Sequence, residues 1–111
     1  MIEVRSLPAI ERDPKIGWGL TFWMGNAFDY TTPFRAALAE IAEVLNRERL
    51  SALRLPDYEE REDFVEGILQ FGNSKIRVYY EHSLSYLTLF SSSEDVLREI
   101  AARLRSNFKV A

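Results

Sequence analysis

The chain reads as an α+β domain: an antiparallel five-stranded sheet with two helices packed on one face, in the order ββαβββα. Three features predict this. Short segments alternate apolar and polar residues, two longer stretches place apolar residues at three- and four-residue spacing, and turn residues separate the last three strand-like runs closely enough for hairpins.

The elements follow in order. Ile2 and Val4 alternate with Glu3 and Arg5 as in a half-buried strand, after which Pro8 and the Asp13-Pro14 pair predict a connecting loop. Residues 17–24 place Trp18, Leu20, Phe22 and Met24 on one side and Gly19, Thr21 and Trp23 on the other, which predicts a central strand. Gly17 and Gly19 are unusual inside a strand and point to a bulge or to close approach of another backbone. Thr32-Pro33 is a helix start, a capping hydroxyl followed by a preset φ. Phe34, Ala37, Leu38, Ile41, Ala42 and Leu45 then form an apolar helical face opposite Arg35, Glu40, Glu43 and Arg47. Leu50, Leu53 and Leu55 either extend that helix or form a second short turn before Pro56.

Three strand-like runs come next, Phe64 to Phe71, Lys75 to Glu81 and Leu84 to Phe90, joined by Gly72-Asn73-Ser74 and by His82-Ser83 as a meander. Ser92 or Ser93 caps a last helix that buries Val96, Leu97, Ile100, Ala101 and Leu104. Glu94 and Asp95 sit at the positive end of its dipole, Arg103 and Arg105 at the negative end.

At 111 residues the sequence has the size of one domain, spanning 1–111. Its 47% hydrophobic and 28% charged residues fit a soluble globular chain and are too apolar for a disordered tail. Without cysteine there are no disulfides and no thiolate metal sites, so a reducing cytoplasm is the expected location. No basic, apolar N-terminal leader and no run of eighteen apolar residues is present, so neither secretion nor membrane spanning is expected. A sequence pI of about 5.2 argues against direct nucleic-acid binding, which needs clustered Lys and Arg.

No motif points to catalysis, a cofactor or a metal. His82, the one histidine, lies between Glu81 and Ser83, but adjacent residues do not converge as an acid–base–nucleophile set must. Gly17-Trp18-Gly19 and Gly25 spell part of a glycine-rich loop, yet the first two lie inside a strand, where no helix N-terminus receives a pyrophosphate. The acidic segment lacks the central glycine of a calcium loop, and an exposed connection leaves every carboxylate ionised, unlike a glycosidase pair.

That acidic segment is the leading functional feature. Asp57, Glu59, Glu60, Glu62, Asp63 and Glu66 fall within ten residues and are offset by Arg61 alone, although the whole chain carries a net charge of only −3. It reads either as a solvated connection or as a surface for a basic partner. Arg77, Tyr79 and Glu81 share one side of their strand, and Glu66 and Gln70 share the matching side of the strand before. One sheet face is therefore expected to display them together, in a mixture of tyrosine and charge suited to an interface. The partner-binding residues expected are Asp57, Glu59, Glu60, Glu62, Asp63, Glu66, Arg77, Tyr79 and Glu81.

In size, element order, the acidic stretch from Asp57 to Asp63 and the hairpin from Val78 to Leu87, the chain resembles the small cytoplasmic immunity proteins of bacterial toxin–immunity systems, including those of contact-dependent growth inhibition. The resemblance implies neutralisation of a toxin by stoichiometric binding, without enzymatic chemistry, and carries over no individual binding residue. If the toxin is a nuclease, the acids would stand where nucleic-acid phosphate binds. Two other readings remain: a small-molecule-binding or enzymatic domain with an aromatic-lined pocket near Trp18, Phe22, Trp23 and Phe28, and a homodimer paired through an edge strand or the last helix.

Overall fold

Hairpins organise the molecule. The computed structural model describes residues 2–5, 8–24, 34–45, 51–54, 64–81 and 85–110. Among them, six strands form one antiparallel sheet: β2 (Ala9–Asp13), β3 (Gly17–Trp23), β4 (Ser51–Arg54), β5 (Phe64–Phe71), β6 (Ser74–Glu81) and β7 (Tyr86–Ser91). Their order across the sheet is β2-β3-β7-β6-β5-β4. Two helices, α1 (Phe34–Leu45) and α2 (Glu94–Leu104), complete an α+β architecture.

The sheet has six strands where the sequence predicts five. The first predicted strand, β1 (Ile2–Val4), lies outside it and pairs in parallel with β8 (Phe108–Val110) as a separate ribbon. Two strands come from segments read otherwise. Ala9–Asp13, predicted as loop, is an edge strand whose residues are exposed or half-buried, so its weak apolar signal follows from its position. Ser51–Arg54, predicted as helix extension or a short turn, pairs with β5 and sets Leu53 opposite Leu69. Four residues are too few to separate the two periodicities, and a partner strand decides the outcome.

The meander of β5, β6 and β7 forms as predicted, with small shifts at its ends. Gly72 has φ +58 at the first of two central turn residues, as a type II′ hairpin requires. The last strand begins at Tyr86 instead of Leu84, with Tyr86 paired to Glu81. Ser85, just before this strand, takes φ 54 and is fully buried. Its hydroxyl meets the Tyr80 hydroxyl at 2.9 Å, and its carbonyl accepts from the Met24 amide at 2.8 Å. These bonds hold a backbone conformation that a serine on its own disfavours.

The β2–β3 turn is closed by Asp13, whose Oδ1 accepts from the amides of Lys15 and Ile16 at 2.9 and 2.8 Å. Gly17 has φ +123, and a Cβ there would lie 3.1 Å from the Ser92 backbone. The close approach expected of the strand glycines therefore occurs at this end of β3. Ser93 caps α2 by accepting from the Val96 amide at 3.3 Å, while the Ser91 hydroxyl accepts from the Ser93 amide. The predicted Thr32-Pro33 start of α1 lies outside the described residues.

One face of the sheet carries the core. Leu20, Phe22, Ile76, Val78, Tyr80, Leu87 and Leu89 are all fully buried there, against Leu38, Ile41 and Leu45 of α1 and Leu97, Ile100 and Leu104 of α2. The terminal ribbon seals one edge: Val4 is buried, and the Phe108 ring lies 5.2 Å from that of Phe22. Among the described residues no helix is long and apolar enough to cross a membrane.

Candidate functional site: the helix-free sheet face

Alternation along each strand puts every second side chain on the face opposite the helices, and the register fixes who meets whom. Phe64, Glu81, Tyr86 and Trp23 form one row across β5, β6, β7 and β3. The next row holds Glu66, Tyr79, Thr88 and Thr21, and the third holds Arg54, Ile68, Arg77, Phe90, Gly19 and Glu11. Gln70 and Lys75 follow in a fourth.

Glu66, Gln70, Arg77, Tyr79 and Glu81 thus share a face, as their spacing predicts, with Ile76, Val78 and Tyr80 buried on the other side. Asp57, Glu59, Glu60, Glu62 and Asp63 lie outside the described residues, as does His82. In sequence the acids run directly into Phe64, the first residue of β5.

The sequence reading missed the apolar part of this face. Trp23, Phe64 and Ile68 are the large hydrophobic residues that stay exposed among those described, at 41%, 56% and 47%, and all three are on it. Phe64 and Ile68 occupy alternate positions with Glu66 between them, which was the available signal: the polar side of β5 is as hydrophobic as its core side is at Val65. A close stripe of rings runs from Phe64 across the face. Phe64 and Tyr79 lie 6.0 Å apart and nearly parallel at 25°, and Tyr79 and Tyr86 are also 6.0 Å apart, tilted at 42°. Beneath the rings, Thr88 is buried and shares a 2.9 Å hydroxyl–hydroxyl bond with Thr21.

Charge divides the face. Glu66 and Glu81 are at the aromatic end, whereas Arg54, Arg77 and Lys75 occupy the other. Among the described residues no lysine or arginine forms an ion pair with Glu66 or Glu81, and the ion pairs seen run along α2, Glu94 with Arg98 and Glu99 with Arg103. The local negative potential registers on the phenols. Burial raises the pKa of Tyr79, and the charges of Glu81 and Glu66 raise it again, against a hydrogen bond with Tyr86 that acts the other way. Tyr86 is raised by burial first, then by its hydrogen bond to Glu81.

The aromatic pocket considered from sequence does not gather. Phe22 is fully buried in the core, Trp23 is exposed on the opposite face, and Phe28 lies outside the described residues. A groove of about 320 Å³ opens elsewhere, between β2, α2 and β8, lined by Pro8, Ile10, Arg98, Ala101, Ala102, Arg105 and Phe108. No family model, curated protein or solved structure matches the chain.

Proposed function

We propose that this chain is a protein-binding module that associates stoichiometrically with a basic partner, in the role of an immunity protein that neutralises a toxin by covering it. The observation that carries this reading is the placement of Trp23, Phe64 and Ile68, exposed together on the helix-free face beside Tyr79 and Tyr86. Exposed apolar surface of this kind is costly to keep in water and marks contact sites, and tryptophan, tyrosine and arginine are the residues that anchor them. Glu66, which has no ion pair among the described residues, and the acidic residues preceding Phe64 support a cationic surface as the complement, which raises the encounter rate as well as the fit.

The experiment is co-expression with the protein encoded by the neighbouring gene, reading growth protection and one-to-one complex formation. Protection lost in Ile68→Asp, with the fold retained, supports the proposal. Full protection by that variant, or no complex with the wild type, contradicts it.

The small-molecule reading has one observation in its favour, the groove beside Arg98 and Arg105, whose volume is at the lower end for ligand sites. Stabilisation of the fold by an anionic metabolite in a thermal-shift screen would support it.

A further inference from the structure

We infer that the square formed by Phe64 and Glu66 on β5 and Tyr79 and Glu81 on β6 receives one arginine side chain of the partner. The inference rests on the protein-binding reading and names the chemistry of its anchor. Register creates the square: Phe64 pairs with Glu81 and Glu66 with Tyr79, so the two rings occupy one diagonal and the two carboxylates the other. Diagonal positions on adjacent strands are roughly 7–8 Å apart at Cα, a span that a planar guanidinium with donors on several edges bridges while its plane lies along a ring.

Each part of the square suits that ligand. Phe64 is 56% exposed and stacks with Tyr79 at 6.0 Å, giving a ring surface for cation–π contact. Both carboxylates lack an ion pair among the described residues. Arg77, diagonal to Glu66 across the same strand pair, forms none with it. Tyr86 belongs to the same stripe and is the register partner of Glu81 across β6 and β7. An acidic ligand group would meet Glu66 and Glu81 with the wrong sign, and a bare apolar one would leave both desolvated and unpaired. The charge division of the face also orients the partner, with cations over the aromatic end and acids towards Arg54, Lys75 and Arg77.

The test is an NMR titration of the isotope-labelled full chain with the peptide Gly-Arg-Gly-Arg-Gly, and with Gly-Glu-Gly-Glu-Gly as control. Arginine-dependent shifts at Phe64, Glu66, Tyr79 and Glu81 are expected, weakened at least tenfold in Glu66→Gln and in Tyr79→Leu. They should persist when Asp57, Glu59, Glu60, Glu62 and Asp63 are replaced by amides. Shifts confined to residues 57–63, or none, would overturn the arginine anchor. Partner binding unaffected by Glu66→Gln and Tyr79→Leu would overturn it as well, while leaving the protein-binding reading intact.

Discussion

The two faces of one sheet differ more than any two elements of this molecule. Strands β3, β5, β6 and β7 send alternate side chains to each face, so backbone pairing is common to both. Leu20, Phe22, Val78 and Leu89 on the helix side are fully buried, whereas Trp23, Phe64 and Ile68 on the other side remain in water. The same residue classes are therefore placed differently: apolar groups are packed into the core on one face and lie exposed on the other. Under the proposed protein-binding role, stability and recognition should be separable by substitution, and the comparison can be broken at four levels.

The largest effect is expected from the core face. Phe22→Ala removes a fully buried ring that also contacts Phe108, and should cost about 3–5 kcal/mol in urea unfolding. A cost near zero would mean that the helix side is not the stabilising face.

Backbone geometry gives the second level. Gly17→Ala places a Cβ 3.1 Å from backbone at φ +123, so about 1–3 kcal/mol of strain is expected. Gly19→Ala meets instead the Thr88 methyl at 3.2 Å and the Phe90 ring at 3.4 Å, side chains on the open face that can give way. Its cost in the same unfolding experiment should be clearly smaller, and a reversed order would contradict the view that this face yields.

The third level is the Thr21–Thr88 bond under the rings. Either single change to Val leaves one part-buried hydroxyl without this partner and should cost about 1 kcal/mol, while the double change should be less than additive. Strict additivity in the double-mutant cycle would show that the hydroxyls do not act together.

The smallest effect concerns pH. The folded-state pKa values of Tyr79 and Tyr86 lie above the ordinary value of 10.0, so the unfolded chain releases these protons first. Their stabilisation is complete below pH 10 and is lost as pH climbs from 10 through the folded values. Tyr86→Phe should make that alkaline decline shallower in denaturation followed by circular dichroism.

The legible parts of this fold were those with several residues in one pattern. Ile76, Val78 and Tyr80 against Arg77, Tyr79 and Glu81 reveal both sides of β6, and Leu97, Ile100 and Leu104 reveal the buried side of α2. Short pieces were not legible: Ala9–Asp13 as an edge strand offers Ile10 alone to the core, and Phe108–Val110 is three residues that need β1 beside them. At the site, charge and tyrosine could be read from spacing. The ring stripe could not, because Phe64, Tyr79 and Tyr86 meet only through the register of three strands. Phe64 and Ile68 look like core residues until the direction of β5 is known.

The measurement closest to the central claim compares stability and partner binding in the double variant Phe64→Ala/Ile68→Ala. The account predicts unfolding free energy within about 1 kcal/mol of wild type, as for exposed sites, together with at least hundredfold weaker binding to the neighbouring gene's product. Undiminished binding accompanied by a core-sized loss of stability would show that the helix-free face serves the fold and not a partner.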